Sequence, residues 1–281
     1  MCQFCIQHGE GKKWYLQAEN YAEDLLSDLR RREFVADFFR HPEHLGEDLA
    51  TMERAGELPA FVRRAVSRLV THRMKKQHFG QVVPLEDVEA IFEFVNSIVR
   101  VPCICRYATL GREVGYCYAV SMGPNGGRMM ELLRGLDDSF LNGPDVSGFD
   151  QLTTAEALQA FAAHEKEGLC HSVWTFITPF IGGVCNCDRS DCLAMRANVV
   201  HGFQVMFRAE YVAEVSADLC TGCRSCMRVC QFGALAYSTA NKKAFIDQVA
   251  CYGCGICRSA CASEAITLKP RAEVPAAARL W

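Results

Sequence analysis

The chain of 281 residues reads as an α+β protein in three parts: a helical N-terminal region, a cysteine-rich α/β middle region and a small repeated module at the C-terminus. Three observations predict this. Apolar residues recur at three- and four-residue steps through the first hundred positions. Beyond them, β-branched and aromatic runs are interrupted by glycine, proline and cysteine. The last quarter contains one four-cysteine pattern twice, every cysteine displaced by 31 residues. These changes place boundaries at 1–100 (helical region), 101–212 (cysteine-rich middle domain) and 213–270 (repeated module). Residues 271–281, rich in Ala, Pro and Arg, are expected to be a flexible tail.

In the N-terminal region, Tyr21, Leu25, Leu26, Leu29, Phe34, Val35, Phe38 and Phe39 predict helix as far as His41-Pro42. A second helix, roughly 60 to 76, sets Phe61, Ala65, Val66, Leu69 and Val70 on one side. Its other side carries Arg63, Arg64, Arg68, Arg73, Lys75 and Lys76, a solvated face or one that steers an acidic redox partner. A third begins after Pro84 and buries Val88, Ile91, Phe92, Val95 and Ile98. It must stop before Pro102, because the residue preceding proline disfavours helical backbone. In the middle region, Val101 to Tyr118 reads as extended and 135 to 150 as a polar loop. Thr153 with Glu156 forms a capping box for a helix through about Lys166, closed by Gly168. Tyr211 to Val215 alternates like a strand.

Composition excludes several classes. The formal net charge of -3 argues against nucleic acid. The most apolar run, Ser172 to Val184, is broken by Pro179, Gly182 and Gly183 and falls short of the ~20 residues a spanning helix needs, so no membrane insertion is expected. Met1-Cys2-Gln3-Phe4-Cys5 turns polar without an apolar signal core, which makes the cytoplasm the expected location. Gly123 to Gly127 lacks the lysine of a phosphate loop, and no dinucleotide fingerprint appears. Seventeen cysteines, an odd number grouped as C-x-C and C-x-x-C, point to metal ligation in a reducing compartment and away from disulfides.

The repeat is Cys220-x-x-Cys223-x-x-Cys226-x-x-x-Cys230 and Cys251-x-x-Cys254-x-x-Cys257-x-x-x-Cys261. An iron–sulfur cubane needs a thiolate at each of its four irons. A C-x-x-C-x-x-C loop can supply three, and with this spacing the fourth comes from the other repeat. The expected ligand sets are therefore crossed: Cys220, Cys223, Cys226 and Cys261 for one cluster, Cys251, Cys254, Cys257 and Cys230 for the other. Zinc sites, the competing reading, usually pair C-x-x-C knuckles across longer loops.

Residues 218 to 268 resemble bacterial two-cluster ferredoxins, which implies a C-terminal ferredoxin-like two-cluster module holding two [4Fe–4S] clusters. One departure concerns the proline that usually follows the last cysteine of each repeat, replaced here by Gln231 and Ala262. That puts the local hydrogen bonding in question and leaves ligation untouched.

Nine cysteines remain. Cys103-x-Cys105 with Cys117, and Cys185-x-Cys187 with Cys192, are candidate ligands for a further [4Fe–4S] cluster or metal. Cys2 and Cys5 could extend the set to a second; His8 would complete a Cys2/Cys5/His8 site, though it reads first as a surface histidine. Unmetallated thiols or zinc are the alternatives. Cys170 reads as packing; a Cys170–His171 nucleophile pair is disfavoured because adjacent side chains seldom face each other. His164, His171 and His201 lack ligand spacing. Pro102-Cys103-Ile104-Cys105-Arg106 and Cys185-Asn186-Cys187 also resemble segments of uncharacterised anaerobe proteins with a C-terminal ferredoxin module, a resemblance that names no activity.

The leading expectation is an anaerobic electron-transfer protein or subunit. It would relay single electrons between a ferredoxin-type donor and a larger oxidoreductase subunit. A reductase whose middle-domain metal is catalytic, and a redox or metal sensor, are the alternatives.

Overall fold

The computed structural model describes residues 13–111, 114–137, 139–142 and 148–280; Cys2, Cys5 and His8 lie outside them. A seven-stranded sheet organises the first three quarters of the chain. Its strands are β1 (Gly80–Val82), β2 (Ser97–Val101), β3 (Cys117–Ser121), β4 (Asp150–Leu152), β5 (Cys170–Thr175), β6 (Ile181–Cys187) and β7 (Met206–Phe207). They lie in the order β4-β2-β3-β6-β5-β1-β7, antiparallel except for the β1–β7 pair. Strands from both sides of residue 100 share this sheet.

Side chains alternate across a strand, so the register assigns each face. Ile98, Tyr118, Val120, Val173 and Val184 face one layer, built by α4 (Leu85–Phe94) and α7 (Thr154–Lys166) through Val88, Ile91, Phe92, Ala157 and Phe161. Val99, Val101 and Ala119 face the other. There α1 (Leu29–Arg40), α5 (Ile104–Leu110) and α6 (Gly127–Arg134) contribute Val35, Phe39, Ile104, Met129 and Leu133. α2 (Pro42–Gly56), α3 (Ala60–Gln77) and the short α8 (Leu193–Met195) pack beside that second layer through Leu49, Val70, Met74 and Leu193.

Several local expectations change. The helix expected from Tyr21 to Phe39 starts only at Leu29, where Asp28 caps it by accepting from the N–H groups of Arg30 and Arg31 at 2.9 and 3.3 Å. His41-Pro42 starts α2 rather than stopping the chain, because proline is well placed at the first helical position. The third helix ends at Phe94, and Ile98 is buried in β2, where pairing with β3 satisfies a β-branched run. On α3 the row Phe61, Ala65, Leu69 is exposed, while Val70 and Met74 take the contact with α2 and α8. The capping box at Thr153 and Glu156 is present, and Gly168 adopts φ +84° after the helix.

The C-terminal module pairs β8 (Tyr211–Val215) with β11 (Ile266–Pro270) and β9 (Leu235–Ser238) with β10 (Lys243–Ile246), joined by α9 (Ser225–Val229) and α10 (Ile256–Ser259). The chain is thus mixed α and β with a ferredoxin-like C-terminal domain. Gly222 and Gly253 occupy equivalent places before the second cysteine of each repeat, at φ +74° and +71°. A Cβ there would stand 2.3 Å from the Lys242 carbonyl oxygen and 2.1 Å from that of Tyr211, so only glycine lets the loop close. The described part of the tail is tied down. Arg271 Nη2 pairs with Glu210 Oε2 at 2.8 Å and Ala277 is fully buried, because a buried guanidinium needs a fixed partner. Among the described residues no helix is long and apolar enough to cross a membrane.

Candidate metal centres

Two small cavities divide the eight module cysteines. One is lined by Cys220, Cys223, Cys226 and Cys261, the other by Cys230, Cys251, Cys254 and Cys257. Each therefore collects three cysteines from one repeat and the last cysteine of the other. Backbone N–H groups point at the sulfurs in matching fashion: Ala234 N lies 3.3 Å from Cys230 Sγ and Ala265 N lies 3.3 Å from Cys261 Sγ. Such donors favour thiolate over thiol, the state a cluster requires. Burial first, and then the charge of neighbouring cysteines, raises the Cys257 and Cys226 thiols, so a positive partner must offset the cost of holding them charged. Cys223 is exposed, whereas Cys254 is buried on the side that meets the sheet.

The six middle-region candidates converge on a single cavity. β3 and β6 place Cys117 opposite Cys185, with their sulfurs 3.3 Å apart. Cys187 follows two residues along β6 on the same face. Cys103 immediately precedes α5, whose first turn carries Cys105, and Cys192 immediately precedes α8. All six line one cavity of about 150 Å³. Hydrogen bonds tie them into two groups of three, Cys185–Cys117–Cys103 and Cys105–Cys192–Cys187.

Arg106 organises their charge. Its guanidinium is 2% exposed, pairs with Asp188, donates to the Asn186 carbonyl oxygen at 3.0 Å and approaches Cys103 Sγ at 3.8 Å. A hydrogen bond from Cys117, with Arg106 nearby, holds the Cys103 thiol below its ordinary value. Hydrogen bonds from Cys105 and Cys187, the backbone at Met195 and Arg106 hold Cys192 well below it. Cys105, Cys117 and Cys187 serve as the protonated partners and are pushed up. Thiols lowered beside a buried guanidinium give up their protons more readily, which suits them to ligate a metal.

Cys170 plays a part that its sequence context hid. It lies opposite Cys187 in the β5–β6 register, buried, with its thiol hydrogen-bonded to Cys254 of the C-terminal module. His171 points to the opposite face, where Nδ1 lies 2.6 Å from Asn186 Oδ1, so the two do not form a nucleophile pair. His164 accepts from or donates to Tyr118 OH at 2.9 Å, and His201 stands 3.4 Å from Glu53.

Gln231, one of the residues in the usual proline position, bridges the two domains. Its Nε2 donates to the Gly168 carbonyl oxygen at 2.7 Å, and its Oε1 accepts from Arg189 N at 3.1 Å. Those partners lie just before Cys170 and just after Cys187. Arg258 adds a two-pronged pair with Glu86 at 2.7 and 3.0 Å, and Ser259 donates to Glu165 at 2.6 Å. Replacing Gln231 by Pro is expected to loosen this junction by about 1–3 kcal/mol, since each hydrogen bond contributes roughly 1 kcal/mol. Faster amide exchange at Arg189, with the β8–β11 amides unchanged, is the expected readout.

His78, at the end of α3, was not singled out by any spacing. Its Nδ1 lies 2.5 Å from the Thr175 carbonyl oxygen, and Phe38, Trp174 and Phe176 surround the ring at 4.7, 5.0 and 5.0 Å. Burial brings its pKa down from 6.5 to about 4. Between those values the unfolded chain binds a proton that the folded chain refuses, so stability falls as pH drops through that window. The loss is up to about 3 kcal/mol by pH 4. Between pH 7 and pH 4 the urea midpoint of the wild type should fall relative to that of His78→Phe, which has no imidazole to protonate.

Residues 219–266 match the family model for a 4Fe-4S dicluster domain. A stretch of 60 residues is 35% identical to the archaeal-type glutamate synthase [NADPH] of Thermotoga maritima and, equally, to that of Thermotoga sp. (strain RQ2). It covers 21% of this chain and only 12% of either relative's length. The C-terminal domain is therefore an iron–sulfur domain that binds [4Fe–4S] and serves electron transfer.

Proposed function

We propose that the chain is an electron relay with two [4Fe–4S] clusters in its C-terminal domain and a further centre at the six middle-region thiols. The crossed sets, Cys220, Cys223, Cys226, Cys261 and Cys230, Cys251, Cys254, Cys257, hold the first two. Four or more of Cys103, Cys105, Cys117, Cys185, Cys187 and Cys192 hold the third. When bound, such clusters supply one-electron redox chemistry; the protein's part is to order and insulate them.

The observation that carries this reading is the chain of buried thiols that joins the C-terminal domain to the middle-region cavity. Cys223 is exposed at one end, Cys254 meets Cys170 in the middle, and Cys170 stands across from Cys187 at the edge of the six-thiol cavity. A partner protein, a ferredoxin-type donor in this reading, would exchange electrons at Cys223. The middle region would pass them to or from a larger oxidoreductase or use them itself. The likeness to glutamate synthase is confined to the iron–sulfur segment, so it supports electron transfer and says nothing of glutamate.

Iron and acid-labile sulfide analysis of anaerobically purified chain tests the proposal. About twelve or more irons per chain is the expected result, and about eight, the content of two cubanes, would remove the middle centre. The same count should be unchanged when Cys2 and Cys5 are both replaced by Ser.

A further inference from the structure

Helix α3 borders the six-thiol cavity on one side and is left uncovered on the other. Ser67 and Thr71 donate to the carbonyl oxygens of Gly202 and Gln204, each at 3.1 Å, and Val70 and Met74 pack on Leu49, Leu193 and Val205. Met74 also reaches the wall of the cavity. The helix is thus held along one side, yet none of its 18 residues is buried. On the outward side Phe61, Ala65 and Leu69 form one row, with Phe61 76% and Leu69 71% exposed. At about 3.6 residues per turn, Arg64 and Arg68 fall on one flank of that row and Arg73 on the other. The helix carries six lysine and arginine residues and no acid, in a chain whose net charge is -3. Among the described residues no carboxylate pairs with Arg64, Arg68 or Arg73. Arg73 donates to Gln77 at 2.8 Å, and Glu53 of the neighbouring α2 is taken by Arg196.

Exposed aromatic and arginine side chains together, with acids missing, have the composition of a protein-binding surface. Pairing two copies of the chain through this face would set like charges against each other. A lipid surface asks for a broad apolar face, whereas this row is one residue wide. We infer that the outward face of α3 is the docking surface for a redox protein whose own surface sets carboxylates around an apolar patch. The inference rests on the proposed relay and names the partner at its middle-region end. A protein docked there is separated from the six-thiol cavity by about one helix thickness, roughly 10–12 Å. Charge draws the partner in and orients it, while Phe61 and Leu69 lose their water in the complex and hold it.

A flavodoxin of net negative charge serves as the probe, with a positively charged cytochrome c as control, both titrated by calorimetry into the oxidised full-length protein. Flavodoxin should bind at about 20 mM salt and weaken at least tenfold by about 0.5 M, where exposed charges are screened; cytochrome c should not bind. Arg64→Glu with Arg68→Glu should weaken flavodoxin at least tenfold. Phe61→Ser with Leu69→Ser should weaken it about tenfold and keep the salt dependence. All four side chains are exposed, so melting temperature and iron content should not change. Arg30→Glu with Arg32→Glu, an equal change of charge on α1, should weaken binding by less than about threefold. Oxidation of the reduced chain by flavodoxin, one electron passing from a cluster to the flavin, should slow at least tenfold at low salt in the Arg64 and Arg68 variant. Absence of flavodoxin binding up to roughly 1 mM, equal losses in the two charge-reversed variants, or an unchanged rate of oxidation overturns the inference. So does binding of phosphatidylglycerol vesicles that flavodoxin does not displace, which gives the face to lipid. Self-association that Phe61→Ser with Leu69→Ser abolishes overturns it too, in favour of a second copy. Calorimetry on the oxidised protein reads docking without electron flow and the iron count reads the middle centre, so failure of either is recognised separately.

Discussion

Cys261→Ala and Cys223→Ala, combined, should cost the chain no more iron than either replacement alone, about four atoms. Cys261→Ala combined with Cys257→Ala should cost about eight. The contrast follows from the crossed cavities. Cys261 lies four residues after Cys257 in sequence, yet it lines the cavity of Cys220, Cys223 and Cys226. A thiolate missing from a cubane exposes an iron that water or oxidation removes, and the remaining buried thiols lose the positive partner that offsets their charge. The loss should reach the fold as well. Cys220, Cys226, Cys251 and Cys257 form part of the same buried cluster as Val212, Ala234, Leu235 and Ile266, so this small domain has its metal sites where a larger one has apolar core. Iron analysis reads the cycle directly. Equal loss of about eight atoms from both double variants would mean that the clusters stand or fall together; loss of about four from the Cys257 and Cys261 pair would assign both to one cluster.

Arg106→Met is expected to destabilise the middle region by about 3–5 kcal/mol, the usual consequence of removing one member of a buried ion pair. The guanidinium is almost wholly enclosed, and its replacement strands the Asp188 carboxylate and the Asn186 carbonyl oxygen. It also removes a cation stacked 4.3 Å from the Tyr116 ring. Asp188 keeps hydrogen bonds from Ser190 and Asp191, which softens the loss towards the lower figure. Adding Asp188→Leu should restore part of the stability, because the unpaired charge is then gone. Beyond stability, Cys103 and Cys192 lose the positive charge that favours their thiolates, so iron in excess of the two-cubane content should fall first. Urea unfolding followed with iron analysis separates the two effects; a variant as stable as the wild type would show that Arg106 is not the anchor of this site.

The C-terminal domain was legible because its chemistry is written locally. Cluster ligation at fixed spacing leaves little freedom, and the glycines before Cys223 and Cys254 enforce the same loop twice. The capping box at Thr153 was readable for the same reason: its two hydrogen bonds join residues three apart. Signals broke down where long-range pairing overrode local period. Ile98 fits the helical spacing of Val88, Ile91 and Val95, but β2 takes it, since pairing with β3 satisfies its backbone and buries its side chain. Arg271 looked like part of a loose tail until Glu210, far away in sequence, met it in the core.

The six middle cysteines mark the division most clearly. Their residue types and C-x-C spacing led to the expectation of a metal site, because thiols so placed beside Arg and Asp make poor core filling. Their gathering round one cavity was decided by the sheet, which sets Cys117 opposite Cys185 and brings the starts of α5 and α8 over the same face. Cys170 and Gln231 carried no local signature of the contacts they make. One is an ordinary buried thiol and the other an exception to a proline pattern, and each acquires its role only where the two domains touch. Spacing along a chain encodes bonds that close within a few residues; contacts between distant segments depend on packing and register, which only the folded molecule supplies.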